Sequence, residues 1–258
     1  MLDLRNRLYI ATFQDNCIAV ARKYGLGLEF NHTCISEDLD ENNRATLLRR
    51  MSDDLTASGS KGSIVHGPFT EIHPAAIDYR ARKMAKERLE EAFQVCQKLN
   101  VNKMVVHTGW LPFIYFKEWQ AEKGAVFWED FMASKPADFR LYIENVLEDE
   151  PFMLTNMMKK ISDPRIGLCL DTGHANAMTD KNISVEMWIK ELSPYIGHFH
   201  LHNNYGDSDT HGGFEDGSLD MVSIFDSIEK YCRRDVTFTI EARDCGSCAG
   251  WLRAKGYI

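Results

Sequence analysis

The sequence predicts an α/β fold, a single (β/α)8 TIM barrel, on three observations. Its 258 residues are close to the length of about 250 residues that this barrel typically needs. Short runs rich in Ile, Val, Leu, Phe and Tyr alternate with helical patterns along the chain, as in a parallel sheet with helical crossovers. Eight such runs are present, so we expect one domain over residues 1–258. An open doubly wound sheet is the alternative, but no glycine-rich fingerprint follows the first run.

The predicted strands are short and apolar, as expected for strands that are covered on both sides. They span residues 8–11, 27–30, 63–66, 103–107, 140–144, 166–171, 196–200 and 236–241. Apolar residues at spacings of three and four predict the helices. These span residues 44–54, 78–99, part of 110–136, 150–161, 184–192, 221–232 and a short segment around Trp251. The insertion 110–136 is dense in aromatic residues, and we expect a helix that packs on the barrel or a partial lid over a substrate.

The composition excludes several classes of protein. Hydrophobic residues make up 44% of the chain and charged residues 26%, which is ordinary for a globular protein and excludes a disordered one. The formal net charge of −8 argues against binding of nucleic acid over the whole surface. No stretch is apolar enough to span a membrane. Seven cysteines without a secretory signal predict reduced thiols and a cytoplasmic location.

Imidazole and carboxylate side chains fall at the ends of six predicted strands. They are His66, His107, Glu144, Asp171, His200 and Glu241. The carboxyl ends of all strands open on one face of a barrel, where the active sites of this fold lie. Imidazoles and carboxylates together suit Zn²⁺ or Mn²⁺, and a cation offsets the cost of burying carboxylates. The set therefore predicts a divalent-metal site.

A further group follows the sixth and seventh strands. His174 comes one helical turn after Asp171, and Asp209 and His211 are two residues apart, so in extended backbone their side chains point the same way. We expect these three residues around a second or third cation. His202 is expected to face away from His200 and to lie at most behind the ligands, while His198 is expected to be structural.

Four motifs resemble the xylose-isomerase-like TIM barrels. They are Ile143-Glu144-Asn145, Leu170-Asp171-Thr172-Gly173-His174-Ala175, His198-Phe199-His200-Leu201-His202 and Ile240-Glu241. This superfamily contains sugar and sugar-phosphate isomerases and epimerases and also endonuclease IV, of AP endonuclease family 2. For an epimerase, the resemblance implies one cation held by Glu144, Asp171, His200 and Glu241. The two glutamates would be the catalytic acid/base pair, and His174 would contact the substrate. Trp110 and Arg243 are further candidates for substrate contact.

For endonuclease IV, the resemblance implies three zinc ions and nine ligands. His66, His107 and Glu144 would hold the first ion; Glu144, Asp171, His200 and Glu241 the second; and His174, Asp209 and His211 the third. However, residues 196–227 contain no Lys or Arg, whereas a protein that grips duplex DNA needs cations near its site.

The first hypothesis is therefore a metal-dependent isomerase or epimerase that acts on a sugar or sugar phosphate, with one to three zinc or manganese ions. The alternative is a multi-zinc phosphoesterase that acts on abasic-site DNA or a small phosphate ester. A barrel that only binds a metal or ligand is a third hypothesis. We expect a small-molecule substrate rather than nucleic acid or a membrane as the partner, and the resemblance also implies a homo-oligomer.

Overall fold

A computed structural model describes residues 2–14, 16–180 and 182–258 of the chain. Within these residues, eight parallel strands close into a barrel in which each strand pairs with its neighbours in sequence, and this confirms the predicted fold class. The strands are β1 (Leu8–Ala11), β2 (Gly27–Phe30), β3 (Ser63–His66), β4 (Lys103–His107), β5 (Arg140–Glu144), β6 (Ile166–Asp171), β7 (Ile196–Leu201) and β8 (Thr237–Ile240). β7 is one residue longer than predicted and β8 is shorter at both ends.

Nine α-helices surround the barrel in the described part of the chain. They are α1 (Cys17–Tyr24), α2 (Glu41–Ser58), α3 (Tyr79–Lys98), α4 (Lys117–Met132), α5 (Phe152–Met158), α6 (Thr172–Met178), α7 (Val185–Leu192), α8 (Met221–Tyr231) and α9 (Cys245–Lys255). A 3-10 turn (Ser36–Leu39) precedes α2. The predicted helices are all present, but α2 and α9 are longer than expected and α5 is shorter. The sequence did not predict α1 or α6, which have eight and seven residues.

Two tyrosine rings fill the lower part of the barrel interior. Tyr9 and Tyr142 belong to an interior cluster with Ile64, Val105 and Cys169. Glycines on β2 and β7 make room for the rings, because a Cβ on Gly27 would overlap Tyr9 and one on Gly197 would overlap Tyr142. His198 stacks on Tyr142 with ring centroids 5.8 Å apart. The bottom of the barrel is therefore closed by packed rings, and its polar residues lie above them.

The aromatic insertion forms a packing helix over much of its length. Phe127, Trp128 and Phe131 of α4 are buried in the main hydrophobic core, which agrees with the packing interpretation of residues 110–136. The loop before α4 exposes Phe113 and Phe116.

Two further observations concern membrane-spanning helices and the cysteines. Among the described residues, no helix is long and apolar enough to cross a membrane. All seven cysteines are free thiols, as predicted, while a cytoplasmic location stays a prediction.

Candidate metal centre

The strand register brings the predicted ligands together at the carboxyl end of the barrel. His107 of β4 pairs with Glu144 of β5, and Asp171 of β6 pairs with His200 of β7. Glu241 directly follows β8, and its backbone N–H donates to the carbonyl of Leu201. Every one of these side chains except that of His107 is buried. All nine candidate ligands lie in this region, in three sets.

The first ligand set consists of His66, His107 and Glu144. Both imidazoles face the same carboxylate oxygen: Nε2 of His66 lies 3.1 Å and Nε2 of His107 lies 3.5 Å from Oε2 of Glu144. Ligands of a tetrahedral zinc ion, with bonds of about 2.0–2.1 Å, are about 3.3 Å from each other. The spacing of these atoms therefore fits a shared cation.

The second ligand set consists of Glu144, Asp171, His200 and Glu241. Nδ1 of His200 lies 2.7 Å from Oε2 of Glu241 and 3.2 Å from Oε1 of Glu144. It also lies 3.8 Å from Oδ2 of Asp171. Three carboxylates thus surround one ring nitrogen, and Glu144 belongs to both sets through its two different oxygens.

The third ligand set consists of His174, Asp209 and His211. Nε2 of His174 lies 3.2 Å and Nε2 of His211 lies 3.1 Å from the same oxygen, Oδ2 of Asp209. Asp171 links this set to the second one, because its side chain caps α6 by accepting a 2.7 Å hydrogen bond from the N–H of His174. The aspartate at the end of β6 therefore fixes where the helix that carries His174 begins.

Backbone carbonyls orient one imidazole in the first set and two in the third. Nδ1 of His66 donates to the carbonyl of Gly67 at 2.9 Å. Nδ1 of His174 donates to Asn145 at 2.9 Å, and Nδ1 of His211 donates to Glu241 at 2.7 Å. In the neutral ring, the other nitrogen then directs a lone pair at a carboxylate oxygen. That arrangement is repulsive unless a second proton or a metal cation lies between the two atoms.

Several buried ligand atoms have no hydrogen-bond partner among the described residues. They are Asp171 Oδ2, His200 Nδ1, His202 Nδ1, His202 Nε2, Asp209 Oδ1 and Glu241 Oε2. Buried polar atoms without partners are costly, and all six belong to the centre or border it. The donor set thus fits divalent cations, which would satisfy these atoms.

The charge state of the side chains agrees with this fit. Burial alone would raise the pKa of Glu144, but the imidazoles of His200 and His107 outweigh it and hold that pKa well below its usual range. Burial lowers the pKa of His107 to about 3. Burial also opposes protonation of His211, but its hydrogen bond with Asp209 raises the pKa to about 9. The Glu144 carboxylate is therefore ionised, and the proton on the His211 imidazole occupies a position that metal binding would require to be free.

Glu29 on β2 is a buried residue of the centre that the sequence analysis did not assign. Its Oε1 lies 2.8 Å from Nε2 of His200, and its Oε2 lies 3.1 Å from Nε2 of His198. Thr239 also donates to Oε2. Histidine ligands usually donate their second ring N–H to such a carboxylate, and Glu29 therefore leaves Nδ1 of His200 directed at the second ligand set.

The expectation that His202 faces away from His200 is wrong, whereas His198 lies below the candidate ligands. Nε2 of His202 is 3.0 Å from Oδ1 of Asp171 and 3.6 Å from Oδ1 of Asp209, so the ring faces the centre. Residues two apart in extended backbone point to the same side, and this places His202 on the side of His200.

The two residues predicted to contact substrate lie in different places. Arg243 lines a cavity of about 1110 Å³ at the mouth of the barrel, together with His211, Glu241, Phe13 and other residues. Trp110 instead lines a separate cavity of about 530 Å³, and its buried indole donates to the carbonyl of Tyr115 at 2.9 Å. The structure does not bring Trp110 to the larger cavity, because the indole is held in the core beside α4.

The fold and these side chains define a (β/α)8 barrel with a candidate multi-cation centre at its carboxyl face. A comparison with protein-family models places the chain more narrowly. Residues 18–253 match the model of the xylose isomerase-like TIM barrel, and the chain belongs to this family.

Relatives and solved structures are similar to the chain at low sequence identity. An uncharacterized protein of Methanocaldococcus jannaschii is 26% identical over 65% of this chain, and the match spans 60% of that relative's length. A probable endonuclease 4 of Mycobacterium leprae is 25% identical over 72% of this chain and 75% of its own length. The crystal structure of a D-tagatose 3-epimerase-like protein superposes with a TM-score of 0.74 at 17% identity, covering 96% of both chains. The structural likeness supports the barrel fold.

Proposed function

We propose that the protein is a multi-zinc phosphoesterase that hydrolyses a small phosphate ester. One observation carries this proposal: each carboxylate oxygen of Glu144 faces a different group of imidazoles. Oε2 faces His66 and His107, while Oε1 lies 3.2 Å from His200. A carboxylate in this position would be able to hold two cations, and paired metals supply stabilisation of an in-line displacement. An isomerase with a single cation does not need His66 and His107 as ligands.

The chemistry of the ligands supports zinc. The three sets contain five imidazoles with four carboxylates, and imidazole-rich sites suit Zn²⁺ better than Mg²⁺ or Mn²⁺. Similarity to the probable endonuclease 4 of Mycobacterium leprae also supports phosphoester hydrolysis over proton transfer on a sugar. When bound, such cations activate water as a nucleophile at neutral pH and neutralise charge that develops on a phosphoryl group.

The surface around the centre favours a small substrate over duplex DNA. The cavity of about 1110 Å³ is of the size that encloses a small molecule. Arg50 and Arg243 line it and offer cations to an anionic substrate, but Glu37 and Asp38 line it as well. The loop after β7 carries no Lys or Arg. A duplex would lose affinity at such a rim, because phosphate contacts supply most of its binding energy.

The protein residues would then have separate roles. The Arg243 guanidinium is placed to bind an anionic group of the substrate, since it lines the same cavity as Glu241 and His211. Glu144 would bridge the first and second cations, and Phe13 and Phe69 would supply apolar contacts on the cavity wall. The buried ligands hold these positions before the substrate arrives, which reduces the cost of reorganisation.

An isomerase or epimerase is the second candidate, and one observation favours it. Glu144, Asp171, His200 and Glu241 form a complete four-ligand set by themselves, and Glu241 also lines the cavity. Two carboxylates beside one cation could remove and return a proton next to a carbonyl group. Incorporation of solvent deuterium into ketoses or their phosphates would identify this activity.

The first test replaces the bridging carboxylate. We expect the wild-type protein to release nitrophenolate from bis(4-nitrophenyl) phosphate in a zinc-dependent reaction. Glu144→Gln should reduce this rate to that of the buffer alone, because an amide cannot bridge two cations as a carboxylate does. Glu37→Gln is the matched control, since it makes the same change at an exposed position of the cavity wall, and it should retain turnover within about threefold.

The outcomes separate the candidates. Wild-type turnover in the Glu144→Gln variant would contradict the phosphoesterase proposal. Deuterium exchange into a sugar without any phosphoester hydrolysis would replace it with the isomerase. Cleavage of an abasic-site duplex at a much higher rate than of the small diester would correct the proposed substrate class.

A further inference from the structure

His202 is a buried imidazole next to the third ligand set, and its Nε2 lies 3.0 Å from Oδ1 of Asp171 without the geometry of a hydrogen bond. The side chain is fully buried, and neither ring nitrogen has a hydrogen-bond partner among the described residues. Oδ1 of Asp209 is likewise buried and unpartnered, and it lies 3.6 Å from Nε2 of His202. An unpaired imidazole and an unpaired carboxylate oxygen that face each other indicate a shared ligand.

The surrounding side chains place this ring at the third set. His174, His202, Asp209 and His211 each offer one ligand atom, and these atoms all lie within 4.8 Å of one another. The separations of 3.1, 3.2 and 3.6 Å between nitrogen and carboxylate oxygen atoms in this group are close to the ligand spacing of about 3.3 Å in tetrahedral zinc sites.

Gly173 makes room for the ring. A Cβ on Gly173 would overlap the imidazole of His202, so a larger residue at this position would displace it. On its other side, His202 stacks on His211 with ring centroids 4.0 Å apart. The sequence Asp171-Thr172-Gly173-His174 thus supplies one ligand of the third set and the space for a second imidazole.

We propose that His202 is the fourth protein ligand of the third cation, which is therefore held in a closed site by His174, His202, Asp209 and His211. This inference rests on the multi-cation centre of the proposed function and makes it more specific. Four protein ligands complete the coordination of a structural zinc ion, whereas catalytic zinc ions keep a position for water or substrate.

A closed third site implies that the first and third cations would have different roles. Among the described residues, the first set offers three protein ligands, His66, His107 and Glu144, and would so leave a coordination position open. The third cation would instead fix the loop after β7, since Asp209 and His211 belong to that loop while His174 belongs to α6. Its role is to hold Arg243 and the cavity wall in place, because the N–H of Arg243 donates to the carbonyl of His211 at 2.9 Å.

A different role for His202 would be to orient Asp171. Nε2 of His202 is 3.0 Å from Oδ1 of Asp171, which belongs to the second ligand set. In that case, loss of the ring would weaken binding of the second cation and leave binding of the third one unchanged. The number of bound cations in single and double variants distinguishes the two roles.

The experiment measures zinc and cobalt content by elemental mass spectrometry after dialysis against a weak chelator. The variants are His202→Phe, which keeps a ring against Gly173 and His211, then His211→Phe, and the double variant. We expect three cations in the wild type and one fewer in each single variant. We expect the double variant also to bind one cation fewer than the wild type, because both residues would be ligands of the same cation. The visible spectrum of cobalt-loaded protein should lose the same tetrahedral component in all three variants.

His73→Asn is the matched control, because His73 lies in a loop and contacts the carbonyl of Gly109 without belonging to any ligand set. It should bind as many cations as the wild type. His202→Asn and Gly173→Ala provide further variants if His202→Phe does not fold, as judged by circular dichroism and thermal melting. Both should lose the same cation.

Three results would overturn the inference. The first is a His202→Phe variant with wild-type cation content and an unchanged zinc dissociation constant. The second is a double variant that loses two cations, which would assign His202 to Asp171. The third is a His211→Phe variant with wild-type cation content, which would reject the third site itself. A protein that loses one cation as expected but hydrolyses no phosphoester would keep this inference and reject the proposed reaction.

Discussion

Glu29 shows how one buried carboxylate can decide the properties of an imidazole ligand. Burial would raise the pKa of Glu29, but the imidazoles of His200 and His198 outweigh it and hold its pKa well below the usual range. The ionised carboxylate accepts the Nε2 proton of His200, at 2.8 Å. This fixes the tautomer of His200 and makes Nδ1 more basic toward a cation.

Replacement of Glu29 by glutamine should therefore weaken binding of the cation at the second ligand set. An amide of the same shape still fills the barrel, but it is a weaker acceptor, and we expect the zinc affinity to fall by about 10–100-fold. Competition with a chromophoric chelator measures the affinity. Glu37→Gln, at an exposed position, is the control and should leave it unchanged. Equal affinities in the wild type and Glu29→Gln would show that Glu29 has no part in orienting His200.

The positions of several candidate ligands were predictable because each lies at the end of a recognisable strand. His66, His107, Glu144, Asp171 and His200 each lie at or within one residue of the carboxyl end of a strand. Glu29 also lies one residue before the end of its strand, β2, but the sequence does not indicate what faces it across the barrel. Its partner His198 is 169 residues away. Such a contact depends on barrel closure and not on any local pattern.

At the scale of elements, short polar links between loops hold the carboxyl face together. The loop after β4 and the loop after β5 meet at Glu148, which accepts a hydrogen bond from the N–H of Val146 at 2.6 Å and another from the hydroxyl of Thr108. Asn145 joins β5 to β6 in a similar way, because its side chain accepts from the N–H of Asp171 at 2.9 Å and donates to its carbonyl at 3.1 Å. These links position His107, Glu144 and Asp171 relative to one another.

Glu148 should make stability depend on pH. Burial raises its pKa, so the folded protein holds this proton more tightly than the unfolded chain does. The carboxyl group therefore favours the folded state below the unfolded pKa of about 4.3, and this contribution is lost as the pH rises through the folded pKa. Each unit of elevation costs about 1.4 kcal/mol at alkaline pH.

Glu148→Gln removes this titration but keeps two polar contacts. The amide oxygen can still accept from the N–H of Val146, and the amide N–H can donate to the hydroxyl oxygen of Thr108. The free energy of unfolding of the variant minus that of the wild type should be more positive at about pH 8 than at about pH 4. Urea denaturation in the presence of a chelator measures the difference without a contribution from cations. Glu118→Gln, on the exposed side of α4, should show no such change. A difference between Glu148→Gln and the wild type that stays constant with pH would contradict the raised pKa.

The helices that the sequence analysis missed are short and weakly patterned. α6 has seven residues and begins Thr-Gly-His, so its intrinsic helix propensity is low. It forms because Asp171 caps its first turn and because Thr172, Gly173, His174 and Ala175 are buried against the barrel. Tertiary packing therefore determines this helix, and that packing is not visible in a local spacing of apolar residues.

At the scale of the whole molecule, barrel closure assembles the centre from residues that are distant in sequence. β1 pairs with β8 as well as with β2, which brings Glu241 next to residues of the first half of the chain. The order of the strands was sufficient to predict that the candidate ligands meet. The shape and charge of the cavity were not predictable, because they depend on loops such as the one after β2, whose residues Asn31, His32 and Cys34 line it.

The cations should also contribute to the stability of the whole barrel, because carboxylates of the second and third sets have buried oxygens without hydrogen-bond partners in the described structure. Zinc at 100 times its dissociation constant adds about 2.7 kcal/mol per site, which is about 5–10 °C in Tm for a chain of this size. Thermal melting with EDTA should therefore give a lower Tm, and added zinc should restore it. The Tm of the Asp209→Asn variant should change less on addition of EDTA or zinc than that of the wild type, because this variant lacks the third site. An identical Tm with and without chelator would mean that the ligand sets bind no cation in the folded protein.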